Sequence, residues 1–115
     1  MPRLQLATPL FVPGNRPERF GKAAASGADA IIIDLEDAVA AADKDAARAA
    51  LRTGFGSVPI IVRVNAPGTQ WHAADMAAIA GLDIAAVMVP KAEMGSGVAA
   101  TPGGKPVIAL VETAQ

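Results

Sequence analysis

The chain has 115 residues, no cysteine and a formal net charge of −1. That length holds one domain at most. Zero cysteines exclude a disulfide scaffold and a thiolate metal site, and the near-neutral charge argues against a dedicated nucleic-acid binder, which would carry a basic excess. At 52% apolar and 18% charged residues, the composition is too hydrophobic for a disordered acidic tail. No run approaches the roughly eighteen apolar residues of a membrane-spanning helix. The opening MPRLQLATPL lacks the basic segment and long apolar run of a signal peptide, so the expectation is a cytoplasmic protein with no membrane partner.

In chain order, short apolar runs rich in β-branched residues fall at Leu10–Val12, Ile31–Ile33, Ile60–Val64, Val87–Val89 and Val107–Val111. Continuous runs of this kind suit strands covered on both faces. After the first run, Asn15 is placed to cap a helix whose first turn holds Pro17 and Glu18, and Gly27 stands where a left-handed C-terminal cap belongs. After the second, a helix is predicted over Ala41 to Leu51. Asp43 and Asp45 stand early in it and Arg48 and Arg52 late, an order that complements the helix dipole. After the third, Thr69 is placed to cap a helix running to about Ala80, stopped by Gly81. After the fourth, MGSGVAATPGGK is too glycine-rich for a full crossover helix.

Strands alternating with helical segments indicate βαβ units and a parallel sheet. Two architectures fit. A flavodoxin-like doubly wound sheet of five strands needs about this length. A (β/α)8 barrel has similar units but typically needs about 250 residues. Strand order separates them: 2-1-3-4-5 for the former, sequential for the latter.

In either fold a functional site lies at the carboxyl ends of the strands. Gly14, Asn15 and Arg16 follow strand one, and Asp34, Glu36 and Asp37 end strand two. Strand three carries Arg63 and ends at Asn65. Strand four runs into Pro90 and Lys91, and strand five carries Glu112 and Thr113. A carboxylate after a strand also serves as a helix cap, which is the plain reading of Asp37, and Lys91 equally suits a solvated loop. Arg63 is different. An unpaired charge inside VPIIVRVN would cost several kcal/mol, so it requires a carboxylate partner or an anionic ligand. The same holds for Glu112 in IALVET. His72, beside Trp71 at a helix start, reads as a packing or surface residue.

Several motif readings fail. PGGKP is not a phosphate-binding loop, because Pro106 stands where Ser or Thr is required. PGNRPERFG lacks the G-x-G-x-x-G dinucleotide fingerprint. No HExxH or Cys/His cluster suggests zinc. A phospho-receiver domain needs an acidic pair after strand one and an Asp after strand three, where this chain has PGN and RVN.

Four blocks together are more specific: LFVPGNRPERFGKAAASGADAIIIDLEDAV, IVRVNAPGTQWHAADM, VMVPKAE and VIALVETAQ. In this order they resemble the HpcH/HpaI aldolase/citrate lyase family, in its citrate lyase β-subunit-like (citryl-CoA lyase type) branch. The resemblance implies a (β/α)8 TIM barrel and an enzyme that cleaves a carbon–carbon bond of a 3-hydroxy-acyl thioester, such as citryl-CoA or malyl-CoA, with Mg2+. It makes Arg63 the substrate-carboxylate ligand and Glu112 a metal ligand. Glu36 and Asp37 become the acidic pair beside the metal and its waters, and Arg16 assists with the anionic substrate or its CoA portion. It leaves the role of Lys91 unassigned. A 2-oxo-acid aldolase of the same family is the alternative reaction, and a non-catalytic flavodoxin-like or interaction module the alternative class.

Residues 1–115 cover about five of the eight barrel units, and the family's second metal carboxylate, an Asp, falls beyond Gln115. The expectation is a single, truncated TIM-barrel domain with impaired activity. Its exposed sheet edges favour a homo-oligomer. Its partners are small acyl-CoA or acyl-carrier thioesters.

Overall fold

A computed structural model describes residues 9–54, 58–66 and 68–90, together with the strand backbone at 107–110. Five strands are present: β1 (Leu10–Pro13), β2 (Ile31–Asp34), β3 (Ile60–Arg63), β4 (Ala86–Pro90) and β5 (Val107–Leu110). Each coincides with a predicted apolar run to within a residue or two. All pair in parallel, in the order β1-β2-β3-β4-β5. Sequential order corrects the flavodoxin-like alternative, in which β1 would lie between β2 and β3. Each crossover instead carries the chain one strand further in the same direction.

Helices α1 (Phe20–Ala24), α2 (Lys44–Ala50) and α3 (His72–Ile79) fill the first three crossovers. They cover one face of the sheet. Val12, Ile31, Ile33, Ile60, Val62, Val87 and Val89 pack there with Phe20 and Ala23 of α1, Ala47 of α2 and Ile79 of α3. The opposite face is a smaller apolar cluster of Ile32, Ile61, Ala86 and Met88 with Ala30. Alternation along each strand puts Asp34 and Arg63 on this second face, as the last residues of β2 and β3.

The helices are shorter than predicted because two begin as 3-10 turns, Pro17–Arg19 and Ala41–Asp43. Asn15 is not a cap. The Arg16 N–H donates to the Pro13 carbonyl at 3.0 Å, which places Asn15 inside a turn, and Arg16 takes the cap position. Thr69 does not cap α3 either. Its hydroxyl donates back to the Ala66 carbonyl at 2.7 Å, and Trp71 precedes the helix. Gly27 does take the left-handed conformation expected of it, at φ 95°. The glycine-rich segment after β4 lies outside the described residues. Among the described residues no helix is long and apolar enough to cross a membrane.

Candidate active site

The carboxyl ends of β2 and β3 carry a buried polar cluster. Asp34 and Arg63 are register partners and are 1% and 8% exposed. Arg63 Nε donates to Asp34 Oδ1 at 2.9 Å and Nη2 to Oδ2 at 2.5 Å. This two-point pairing fixes the plane of the guanidinium. Glu36 Oε1 lies 3.5 Å from Nε, and the Phe11 ring covers the guanidinium with its centroid 4.9 Å from Cζ.

The charge demanded by the sequence at Arg63 is therefore met inside the chain. Among the described residues the guanidinium bonds through Nε and Nη2, and Nη1 takes no part in these bonds. Burial alone would raise the Asp34 carboxyl. The bonds from Arg63 and from the Glu36 and Ala38 N–H groups outweigh it and hold the carboxyl below its ordinary value. The Asp34 hydrogen bond, working against burial, moves the Arg63 guanidinium up, and the charges of Asp34, Glu36 and Asp37 add to that shift.

After β2 the chain bends into a loop, 35–40, held from two sides. From within, Asp34 accepts the N–H groups of Glu36 (2.8 Å) and Ala38 (3.0 Å). From α2, Lys44 Nζ donates to the carbonyls of Leu35 (3.0 Å), Glu36 (2.9 Å) and Val39 (3.0 Å). The loop presents Glu36 half-buried and Asp37 exposed. A second cluster braces the end of β3. Asp75 of α3, fully buried, accepts the Asn65 backbone N–H (2.8 Å), Asn65 Nδ2 (2.6 Å) and Arg48 Nη1 (3.0 Å). Asn65 Nδ2 also reaches the Leu35 carbonyl at 2.9 Å. His72 Nδ1 lies 2.7 Å from the Asn65 carbonyl, so the lone histidine is a bracing residue.

Of the predicted site residues, the structure brings Arg63 and Glu36 together and sets Asp37 on the same rim. Arg16 is exposed, and its recorded ion pair, at 3.8 Å, is with Glu18. Lys91 and Glu112 lie outside the described residues. Sequence reasoning passed over Lys44 and Asp75. Each had a signal: Lys44 is a cation in the first turn of a helix, against the dipole, and Asp75 stands four residues before buried Ile79, on the inward face.

The sequence profile of the HpcH/HpaI aldolase/citrate lyase family matches residues 7–101. This chain belongs to that family. Among family relatives, a citrate lyase subunit beta-like protein of Mycobacterium tuberculosis is 52% identical over 107 residues, covering 92% of this chain and 38% of its own. A (3S)-malyl-CoA thioesterase of Cereibacter sphaeroides is 41% identical over 114 residues, covering 92% and 40%. The M. tuberculosis citrate lyase beta subunit solved with oxaloacetate and magnesium superposes with a TM-score of 0.71 at 46% identity, over 94% of this chain and 49% of that one. A CitE structure from the same organism holds magnesium, acetoacetate and coenzyme A (TM-score 0.74, 44% identity, 97% and 42% coverage). The chain thus spans about two-fifths of the length of the curated family members it matches.

Proposed function

We propose that the chain forms the first five βα units of a TIM barrel that cleaves a carbon–carbon bond of a 3-hydroxy-acyl thioester with Mg2+. Sequential parallel strand order supports the barrel. So does β1, an edge strand on which Leu10 and Phe11 stand 39% and 44% exposed, as suits a strand with a further neighbour to receive. The observation that carries the chemistry is the buried guanidinium of Arg63. It is oriented by Asp34 through Nε and Nη2 and leaves Nη1 to hold the free carboxylate of the substrate.

Cleavage breaks the bond between the carbinol carbon and the α-carbon of the thioester. The electron pair stays on the α-carbon as an enolate, the hydroxyl proton leaves as the 2-oxo acid forms, and the enolate then takes up a proton to give the acyl thioester. In this reading Glu36 and Asp37, or a water held by them, take that proton. Arg63 stabilises the anionic end throughout.

Among the described residues no three carboxylates or histidines group into a metal site. Glu112, two residues past the end of β5, is the ligand the family resemblance assigns, a hard oxygen donor of the kind Mg2+ selects, and Glu36 and Asp37 are the acidic pair beside the metal and its waters. When bound, Mg2+ polarises the oxygen at which the new carbonyl forms. Arg16, exposed after β1, is free to meet the CoA portion.

The thioesterase relative favours a second reading, hydrolysis of the thioester. The products separate the two: carbon–carbon cleavage gives an acyl-CoA and a 2-oxo acid, whereas hydrolysis gives free thiol. The test is turnover of citryl-CoA and malyl-CoA by the 115-residue chain, alone and joined to the remaining segment of the M. tuberculosis relative. Expected are negligible turnover alone and Mg2+-dependent release of the 2-oxo acid by the joined protein, lost in Arg63→Ala. A folded joined protein whose turnover ignores Arg63→Ala would overturn the reading.

A further inference from the structure

Lys44 is 6% exposed, and no carboxylate among the described residues pairs with it. Its ammonium has three N–H donors, and three backbone carbonyls, those of Leu35, Glu36 and Val39, accept them at 2.9–3.0 Å. The Trp71 ring closes the remaining side, its centroid 5.0 Å from Nζ. An ammonium buried without a counter-ion is costly, and a cation at the first position of α2 opposes the helix dipole. Simple packing would be served better by methionine or leucine. What the charge achieves is specific to the loop after β2. The N–H of Glu36 is bound by Asp34 and its carbonyl by Lys44, so the backbone of this residue is fixed at both ends. The Asp34 carboxylate also holds Arg63.

We infer that Lys44 is a positioning residue, which clamps the loop so that the carboxylates of Glu36 and Asp37 stand in a set relation to the Arg63 guanidinium. The inference rests on the proposed lyase site for its consequence, though not for its geometry. Arg63 itself is oriented by Asp34, so loss of Lys44 disturbs the acidic pair and spares the carboxylate-binding guanidinium.

The absence of cysteine permits a clean test in the 115-residue chain. Lys44→Met removes the charge at similar length. Lys44→Cys, alkylated with 2-bromoethylamine in denaturant and refolded, restores an ammonium at the original reach. Amide exchange is read at Glu36, Ala38 and Val39, with Ile61 and Val62 of β3 as the internal reference. Oxaloacetate affinity is read by calorimetry with and without Mg2+.

The expected result for Lys44→Met is exchange at least tenfold faster in the loop with β3 unchanged. Any Mg2+ enhancement of oxaloacetate binding is lost, while the Mg2+-free affinity stays within twofold. The aminoethylated Lys44→Cys variant returns all of these to wild type. The inference is overturned by unchanged loop exchange, by loop and β3 loosening together, or by failure of the ammonium to rescue. Where the 115-residue chain binds oxaloacetate no better with Mg2+, the exchange data alone decide the role of Lys44, and the joined protein decides the lyase reading: no Mg2+ enhancement there counts against it.

Discussion

Asp34 and Arg63, the last residues of two adjacent parallel strands, face each other and share two hydrogen bonds. Both are buried, so each charge depends on the other. Breaking such a pair from one side leaves an uncompensated charge and costs about 3–5 kcal/mol, whereas replacing both by apolar groups is often nearly neutral. Asp34→Ala is expected to lower the folding free energy, read from urea titration, by an amount in that range. The double variant Asp34→Leu/Arg63→Met is expected to recover most of it. A double-mutant cycle near zero would mean that the pair is not coupled in solution.

The same pair sets a pH dependence. The Asp34 carboxyl titrates below its ordinary value of 3.8 in the folded chain, so the unfolded chain binds the proton more readily. Stability from this group is then present in full above about pH 4 and declines as pH falls through the folded value. Arg63 is displaced upward by its hydrogen bond to Asp34, and its contribution is lost only in strong alkali. Denaturant midpoints between pH 6 and about pH 2.5 are expected to fall more steeply for wild type than for Asp34→Asn, which has no proton to take up at this position. Parallel slopes for the two would contradict the assignment.

The strands were legible because each is a continuous apolar run of the kind that suits a parallel sheet. Their order was not, since sequential and doubly wound sheets share the same units until paired in space. Arg63 announced itself as a charge within such a run, and its partner, Asp34, is the last residue of β2. The cap assignments failed at Asn15 and Thr69 because local turns claimed those residues first. Lys44 and Asp75 went unseen for a different reason. Both lie in alanine-rich helices where a polar residue is ordinarily solvated, and only the fold shows that the carbonyls of residues 35–39 and the end of β3 are waiting for them.

Gly14 illustrates how closely the β1 end approaches the site. A Cβ there would stand 2.9 Å from Leu35 Cδ2, 3.0 Å from the Asp34 carbonyl oxygen and 3.3 Å from Ala47 Cβ. The carbonyl has little room to retreat, because the Gly14 N–H donates to it at 2.8 Å. Gly14→Ala is expected to cost about 1–3 kcal/mol, the usual range for overpacking a tight site, read as a lowered melting midpoint. Gly21→Ala, where nothing lies within 4 Å of the new methyl, serves as the control and is expected to be neutral or slightly stabilising within α1.

Asp75 joins two helices to the end of β3. Its Oδ1 accepts from Arg48 and its Oδ2 from both nitrogens of Asn65, and its side chain is fully buried. In Asp75→Asn the carbonyl oxygen can face Arg48 or Asn65, but not both. Either choice sets the new amide N–H against a donor. Hydrogen bonds to a charged group are worth about 1.5–3 kcal/mol each, and a loss of that order in folding free energy is expected from urea titration. Asp45 also pairs with Arg48 but is 92% exposed. Asp45→Asn is therefore expected to leave the midpoint unchanged, because solvent screens that pair. Equal losses in the two variants would show that Arg48, rather than Asn65 and the end of β3, is what Asp75 holds.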